Sequence, residues 1–347
     1  MRRFTFVLLL AVLGTVRALP NAKEKGMRLF EEFVTRFDRH YATDEERLNR
    51  YNIFENNVKK ILELNNNTDG KAVYSHLTQW ADLTVHEFTA MHGFLPQTIC
   101  QFATSAPRLS PSASPKPSLD YVALGATVKV KNQGKCGSCW AHATTAVVEG
   151  RLKIDTGTIT SLSEQYLMDC DPTRVCGGCC GGLPERALQW LANETCPGIA
   201  GEQQYPYVSG SGEDPTKNQC KNNVPLVGNV TGFGVLNGDA MSMLSGNTEY
   251  GLLGVAMDSS PLQFYKSGII TNPKCSETSN HAVAIVGYGS ENGIDYWKVR
   301  NSYGTQFGED GYFRIERTAD QGAPCGMNGC VIAATGAKYI SSSEPTV

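Results

Sequence analysis

A stretch rich in proline and serine divides this chain of 347 residues into two unlike parts. Residues 107–118 read Pro-Arg-Leu-Ser-Pro-Ser-Ala-Ser-Pro-Lys-Pro-Ser. Proline cannot continue a helix, and it cannot donate the hydrogen bond that a central strand needs. We therefore expect 107–118 to be an extended linker that proteases can reach, between one folding unit at 19–106 and a second at 119–347.

The first residues are typical of a secretory signal peptide. Two arginines precede the apolar run 4–13, and Val16 and Ala18 stand at positions −3 and −1 of a plausible cleavage site. The pattern predicts a signal peptide over 1–18, followed by delivery to a lysosome or vacuole or to the extracellular space. The run is shorter than the roughly 20 apolar residues that cross a bilayer, so no stable membrane insertion is expected. Three glycosylation acceptors agree with this route: Asn66, Asn193 and Asn229.

The composition excludes two classes of protein. Hydrophobic residues make up 41% of the chain, which is enough for a packed core and rules out wholesale disorder. The formal net charge is only −3, which argues against a protein that neutralises phosphates, so no nucleic-acid partner is expected. Twelve cysteines, eleven of them after the linker, fit an oxidising compartment in which most cysteines are paired.

The part before the linker has a helical period. Apolar side chains recur in steps of three and four between Leu29 and Phe37. A second helix is predicted from Asp44 to about Asn65, with Thr43 as its cap and Glu46 completing a capping box. Six residues of that helix share one face because they recur in steps of three or four: Glu46, Arg50, Phe54, Asn57, Ile61 and Asn65.

The part after the linker changes from helices to strands. Helices are predicted at about 139–155, 163–170 and 183–193, and strands at 283–288, 295–300 and 311–315. This order indicates an α+β fold.

Cys139 is the residue that the chemistry singles out. It follows a loop with two glycines and begins a predicted helix, whose N-terminus stabilises a thiolate and so favours covalent catalysis. A thiol nucleophile needs a base, and only His142 and His281 lie after the linker. His281 opens a strand and can face a cleft, and Asn301 offers an amide that would fix its tautomer. His142 is the less favoured base, because it is tied to the helix of Cys139 and lacks an obvious orienting amide.

Other interpretations of the cysteines remain open on the residues alone. Cys139 by itself is more often half of a disulfide. Cys136 and Cys139 form a Cys-x-x-Cys pair of the kind found in redox and zinc sites. The redox interpretation lacks a βαβ frame. A zinc site, to which Cys176, Cys179 and Cys180 could add ligands, is disfavoured by an oxidising compartment. Neither a metal nor a cofactor is predicted.

Several motifs in one order resemble the papain family of cysteine proteases. Cys136-Gly137-Ser138-Cys139-Trp140 matches the family's cysteine signature, and His281 and Asn301 follow 142 and 162 residues after Cys139. Four further stretches agree with the family: 163–165, 178–182, 280–283 and 308–312. The six-residue face of the second helix resembles the inhibitory prosegment of cathepsin L-like zymogens. The resemblance covers nearly all of the chain after the signal peptide.

The resemblance implies a papain-like two-lobe α+β fold, with a helical lobe and a β-barrel-like lobe, preceded by a helical inhibitory prosegment. It implies a cysteine endopeptidase, made as a secreted zymogen, that hydrolyses peptide bonds through a Cys139 thiolate and an acyl-enzyme. His281 would be the base and Asn301 would orient it. Gln133 and the Cys139 backbone N–H would form the oxyanion hole.

The resemblance also implies a substrate site with an apolar preference at the second residue before the cut. Its residues would be Gly181, Gly182, Leu183, Pro184, Ala256, Ala282, Tyr303 and Cys330. The partners would be protein and peptide substrates and the chain's own prosegment, and a monomer is expected.

Three disulfides follow from the same resemblance: Cys136–Cys179, Cys170–Cys220 and Cys275–Cys325. With Cys139 left as a thiol, ten cysteines remain after the linker, enough for up to five bridges, while Cys100 would leave with the prosegment. Cys176, Cys180, Cys196 and Cys330 allow three pairings, of which Cys180–Cys196 with Cys176–Cys330 is one.

Three departures from the family pattern bear on function. Tyr303 and Phe307 stand where the family has tryptophans, so the His–Asn hydrogen bond is expected to be shielded less well. His142 replaces a phenylalanine and would place a second cation near Cys139. One prosegment pattern survives only as His76, Thr78, Trp80 and Asp82. Tyr303, Phe307 and the altered 76–82 pattern motivate an alternative function, a catalytically silent secreted homologue that binds peptides or partners.

Overall fold

A computed structural model of the protein describes residues 22–68, 71–91, 106–173, 178–212, 219–221, 223–318 and 322–340. The predicted signal peptide, Cys100 and Cys176 lie outside these residues. Within the described ranges, no helix is both long enough and apolar enough to cross a bilayer.

The N-terminal region, residues 22–91, is mainly helical. Its elements are α1 (Ala22–Arg36), α2 (Asp44–Asn67), β1 (Ala72–Tyr74) and α3 (Val85–Ala90). An apolar cluster of its own, built largely from aromatic rings in edge-on and tilted contact, comprises Phe30, Phe33, Tyr51, Phe54 and Ala81. The helical period of the sequence predicts this packing, because residues three and four apart share one face.

The caps of α2 and α3 differ in one bond. At α2 the Thr43 hydroxyl accepts the N–H of Glu46, as predicted. The Glu46 carboxylate, however, accepts the N–H of Ala42 at 2.7 Å and not that of Thr43. The second half of the predicted capping box is therefore wrong. A complete capping box forms at α3, between Thr84 and Glu87.

The predicted face of α2 lies against the chain that follows it. Asn57 is buried and donates to the carbonyls of Ala81 and Leu83 at 2.9 and 2.8 Å. Arg50 forms an ion pair with Glu87 at 2.8 Å. The face that the spacing predicts therefore holds residues 81–87 against the long helix.

The region after the linker supplies the other elements. Its helices are α4 (Cys139–Thr156), α5 (Glu164–Cys170), α6 (Pro184–Leu191) and α7 (Ala240–Tyr250). Its strands are β2 (Leu119–Asp120), β3 (Ile199–Ala200), β4 (Leu226–Leu236), β5 (Leu253–Met257), β6 (Tyr265–Ile270), β7 (His281–Glu291), β8 (Ile294–Arg300), β9 (Tyr312–Glu316) and β10 (Val331–Tyr339). The predicted helices and strands are all found, with ends shifted by a few residues.

The strands pair in the order β1–β6–β9–β8–β7–β5–β10–β4–β3, with β2 on β7. β1 is antiparallel to β6, so the N-terminal region adds a strand to the edge of this sheet. α4 packs against β5, β7 and β10. The helix that begins at Cys139 therefore lies against the strand that begins at His281. The expected α+β class is confirmed.

The linker runs extended along the second region, as its prolines predict. The Leu109 N–H donates to the Val235 carbonyl at 2.8 Å. Further on, the Glu249 carboxylate accepts the N–H groups of Ser112 and Ala113 at 2.7 and 2.9 Å. The described part of the linker contains no helix.

The structure contains the three disulfides that the resemblance implies: Cys136–Cys179, Cys170–Cys220 and Cys275–Cys325. Cys180 is also disulfide-bonded. Cys139, Cys196 and Cys330 are buried thiols. The pairing of Cys180 with Cys196 is therefore wrong, and so is the full set of five bridges. Cys139 is also not half of a disulfide.

Candidate active site

Cys139 lies at the first position of α4, where its sulfur faces backbone N–H groups. Burial raises the pKa of this thiol to about 12, although the N–H groups of Ala282, Trp140 and Cys139 itself act to lower it. The side chain is fully buried. In this covered state Cys139 is therefore a neutral thiol, with donors already in place for a thiolate.

Asn301 fixes the tautomer of His281. His281 Nε2 lies 2.8 Å from Asn301 Oδ1, and the same oxygen accepts the N–H of Ser302 at 2.8 Å. An atom that accepts a backbone N–H must be the amide oxygen, so His281 carries its hydrogen on Nε2 and its lone pair on Nδ1. Burial lowers the pKa of His281 to about 4, against the effect of the Asn301 hydrogen bond.

The first residues of β7 place His281 one residue before a neighbour of Cys139. Ala282 packs with Cys139 in one apolar cluster, and His281 immediately precedes Ala282. The ring of Tyr303 stacks on His281 with 5.0 Å between the ring centroids. Tyr303 is only 4% exposed, and Phe307 meets it edge-on at 5.2 Å. Tyr303 therefore covers the histidine, and Phe307 packs against Tyr303.

Gln133 links the cysteine loop to the asparagine segment. Its Nε2 donates to the Cys136 carbonyl at 2.9 Å, and its Oε1 accepts the Ser302 hydroxyl. Its backbone N–H donates to the Ser302 carbonyl at 2.8 Å. The side-chain amide is therefore held next to the loop that carries Cys139.

A small apolar cluster adjoins the sulfur. Leu183, Ala256 and Ala282, three of the predicted substrate residues, form it together with Cys139. Ala143 also belongs to it and was missed by sequence reasoning, although its position one turn after Cys139 on α4 could have indicated it. Five predicted substrate residues lie outside this cluster: Gly181, Gly182, Pro184, Tyr303 and Cys330, of which Tyr303 and Cys330 pack in the main core.

Gly182 has a structural reason to be glycine. A Cβ at this position would lie 2.5 Å from the ring of Trp140, which is too close for any side chain. The indole of Trp140 is fully buried and cannot move away easily. The packing of Trp140 therefore keeps position 182 free of a side chain.

Behind the site lies a buried ionic cluster that sequence reasoning also missed. Lys131 contacts the carboxylates of Glu164 at 2.7 Å, Glu149 at 3.3 Å and Glu202 at 3.3 Å. Burial acts to raise the pKa of Glu164, but Lys131 outweighs it and lowers the pKa to about 2. Burial raises the pKa of Glu149 and that of Glu202, the latter to about 7. Lys131 and Glu164 are therefore the pair in which the carboxylate stays ionised opposite the lysine.

His142 lies beside this cluster and not beside the solvent. It is 6% exposed, and burial lowers its pKa. The expectation that His142 adds a second cation near Cys139 is therefore wrong near neutral pH, because desolvation favours the uncharged imidazole.

Comparison with known proteins assigns the family. Residues 116–335 match the model of the papain family cysteine protease, and residues 30–88 match the cathepsin propeptide inhibitor domain. The chain belongs to the papain family of cysteine proteases. It is a cysteine protease with an inhibitory propeptide, and residues 22–91 are the described part of that prosegment. The comparisons give no support to a catalytically silent homologue.

Relatives and solved structures agree over most of the chain. Cysteine protease XCP2 of Arabidopsis thaliana is 38% identical, covering 89% of this chain and 86% of that protein. Fruit bromelain of Ananas comosus is 35% identical, covering 93% and 91%. A recombinant stem bromelain precursor has a TM-score of 0.75 at 32% identity, covering 90% of this chain and 99% of the other. Procathepsin L 3 of the Tenebrio molitor larval midgut has a TM-score of 0.74 at 31% identity, covering 89% and 98%.

Proposed function

We propose that Cys139 is the nucleophile of this protease, with His281 as its base and Asn301 as the residue that orients His281. The observation that carries the proposal is the His281 Nε2–Asn301 Oδ1 hydrogen bond, which leaves Nδ1 as the basic nitrogen on the residue next to Ala282. A nucleophilic site of this kind needs a base that is hydrogen-bonded to an orienting amide and lies beside a thiol at the start of a helix.

The reaction follows from these roles. Cys139 gives its proton to His281, and the sulfur forms a bond to the carbonyl carbon of the substrate. Gln133 Nε2 and the Cys139 N–H stabilise the negative oxygen of the tetrahedral intermediate. The bond between carbon and the leaving nitrogen then breaks, and His281 protonates that nitrogen. Water attacks the thioester with His281 as base, which releases the acid and restores the thiol.

The charge states of the covered site explain why the zymogen is silent. Burial raises the pKa of Cys139 and lowers that of His281, so both groups are uncharged where catalysis needs a thiolate and an imidazolium. When the prosegment leaves, water reaches both groups and the charge-separated pair becomes accessible. Trp80 of the prosegment contacts Tyr303 with 4.7 Å between ring centroids, so the prosegment reaches the residue that covers His281.

The substrate pocket supports a preference for an apolar side chain at the second residue before the cut. Leu183, Ala256 and Ala282 form an apolar cluster with Cys139, next to its sulfur. Protein and peptide substrates are the class that this protease would cleave.

The remaining parts of the proposal concern maturation. A signal peptide over 1–18 would send the chain into the secretory pathway, and cleavage within 107–118 would separate a prosegment at 19–106 from an enzyme at 119–347. The mature enzyme would be a monomer in a lysosome, a vacuole or the extracellular space. Asn66 and Asn193 are the better supported glycan acceptors, because both are exposed, whereas Asn229 is half-buried in β4.

The deciding experiment compares Cys139→Ala with Cys196→Ala, since both remove a buried thiol. Both zymogens are cut in trans by a trace of active enzyme, which is then removed, and hydrolysis of a peptide with an apolar second residue is measured. We expect Cys139→Ala to lose at least about a thousandfold in kcat, and Cys196→Ala to stay near the wild type. Equal activity of both variants would contradict the proposal.

A further inference from the structure

His142 is held with one nitrogen on the backbone and the other directed into the interior. Its Nδ1 lies 3.0 Å from the carbonyl oxygen of Ser138. A carbonyl only accepts, so Nδ1 carries the hydrogen, and the uncharged ring keeps a lone pair on Nε2. That Nε2 is buried and has no hydrogen-bond partner among the described residues. A buried acceptor left without a donor is costly, so a partner is expected there.

Asn301 presents the complementary group. Its Oδ1 is occupied by His281 and Ser302, which fixes the orientation of the amide. Its Nδ2 therefore carries two N–H groups, and it is buried with no acceptor among the residues that the structure describes. Asn301 is 3% exposed, so bulk water cannot supply the acceptor that Nδ2 lacks.

The two groups line the same small cavity. It has a volume of about 10 Å³, and Lys131, Glu164 and Ser302 also line it. One water needs roughly 10–15 Å³ of this kind of volume and two to four polar partners. Glu164 can supply a further acceptor, because Lys131 keeps it ionised against the effect of burial.

We propose that this cavity binds one water molecule, which accepts a hydrogen bond from Asn301 Nδ2 and donates one to His142 Nε2, and that His142 thereby positions the Asn301–His281 pair. The inference rests on the proposed function, in which Asn301 orients the base. It gives His142 the role of a positioning residue, since no contact of His142 with the reacting sulfur is required. The link runs from Ser138, which precedes the nucleophile on α4, to the asparagine after β8.

The link depends on His142 being uncharged. Glu164 acts to raise its pKa, Lys131 and Arg300 act to lower it, and burial lowers it most. His281 also faces this ring, because a charge on His142 acts to lower the pKa of His281. Once His142 is protonated, Nε2 becomes a donor and the water can no longer donate to it. Wild-type kcat should therefore fall on the acid side at a higher pH than in a variant that cannot be protonated at 142.

Three variants at position 142 separate this role from simple packing. His142→Gln can place an oxygen where Nε2 lies, His142→Asn can reach only the Nδ1 position, and His142→Phe fills the space without polar atoms. We expect His142→Asn and His142→Phe to lose about tenfold in kcat with little change in KM, which corresponds to one lost hydrogen bond. His142→Gln should recover to within a few fold of the wild type and should lack the acid-side fall that His142 adds.

A crystal structure of the zymogen gives the direct test. Electron density for a water within hydrogen-bond distance of both His142 Nε2 and Asn301 Nδ2 supports the proposal. A dry cavity, or His142→Phe with wild-type kcat and pH profile, overturns it. If His142→Phe does not fold, the comparison of His142→Gln with His142→Asn and the crystal structure test the proposal. If Cys139→Ala stays active, the proposed function fails. If Cys139→Ala is inactive while His142→Asn and His142→Gln have the same kcat and pH profile, the proposed function stands and only the role of His142 is wrong.

Discussion

The prosegment and the catalytic domain are stabilised by different means. Residues 22–91 contain no cysteine, and a small aromatic cluster and ion pairs such as Arg39–Asp82 at 3.0 Å hold them together. The region after the linker has three described bridges of known pairing and most of an extensive apolar core, to which Trp80 and Phe88 of the N-terminal region also belong. Charge pairs weaken when carboxylates are protonated, whereas disulfides do not. The difference shows how one chain can contain a part that acid releases and a part that persists.

The contact between the two regions combines hydrogen bonds with aromatic packing, in which Trp80 and Phe88 contact Tyr303 with 4.7 and 6.3 Å between ring centroids. Thr78 donates to the Gln263 carbonyl at 2.8 Å, and Gln263 Nε2 donates back to the carbonyls of Trp80 and Leu83 at 3.1 and 2.8 Å. β1 adds only three residues to the edge of β6. These are neutral bonds of modest net energy, about 1 kcal/mol each. The prosegment therefore binds through hydrogen bonds and apolar side chains that its own fold presents together.

The largest expected effect concerns the bridges. In the double variant Cys170→Ala with Cys220→Ala, a disulfide that spans 50 residues is lost. We expect the free energy of unfolding of the catalytic domain to fall by about 4 kcal/mol, because the unfolded chain gains the entropy of an open loop. Urea unfolding followed by tryptophan fluorescence measures the change. Cys196→Ala is the control, since it removes a buried thiol but no bridge, and an equal loss there would contradict the comparison.

A smaller effect is expected inside the prosegment. Asn57→Leu removes two hydrogen bonds and leaves the Ala81 carbonyl without its Asn57 donor, while the Leu83 carbonyl keeps the bond from Gln263. We expect a loss of about 2 kcal/mol in the stability of the prosegment alone. The measurement is the rate of self-activation of the zymogen at a fixed acid pH. We expect this rate to rise in the variant, while the activity of the mature enzyme stays unchanged. The matched control is Asn56→Leu, the same change at the exposed neighbouring position on α2. Similar activation rates for both variants would show that Asn57 does not hold the prosegment.

Local features of this chain are readable from the sequence. The start of α4 at Cys139, the start of β7 at His281 and the inward face of α2 follow from glycine loops, strand patterns and helical spacing. These depend on residues close together in the chain, where backbone preferences decide. The second bond of the Glu46 cap was predicted wrongly, because two backbone N–H groups lie within reach of one flexible carboxylate.

Long-range features could not be predicted in the same way. The contact of Lys131 with Glu164 and Glu202 joins residues far apart in sequence, and no periodicity indicates it. The pairing of β1 with β6 joins residue 72 to residue 268. The reason that Gly182 has no side chain is the ring of Trp140, which only the packed structure reveals. Such groups meet only when long loops close, and the local preferences of the sequence do not indicate which distant residues will meet.

The smallest effect concerns the charge of Glu87. Burial acts to raise its pKa, but hydrogen bonds from Thr84 and Arg50 outweigh this effect and lower the pKa below its ordinary value of 4.5. A carboxyl with a lowered pKa contributes stability above pH 4.5, and this contribution is lost as the pH falls through the lowered value. Because the ion pair with Arg50 is partly exposed to solvent, the contribution of the Glu87 charge to stability is below about 1 kcal/mol.

Glu87→Gln isolates that charge, because glutamine can still complete the capping box with Thr84 but cannot form an ion pair with Arg50. We expect the variant zymogen to activate a few fold faster than the wild type at about pH 6, where wild-type Glu87 is ionised. The two zymogens should activate at the same rate well below pH 4.5, where the wild-type carboxyl is protonated too. Activation rates across this pH range provide the measurement. A difference that persists undiminished in acid would mean that shape, and not charge, explains the effect, and the prosegment would then resemble the catalytic domain in what stabilises it.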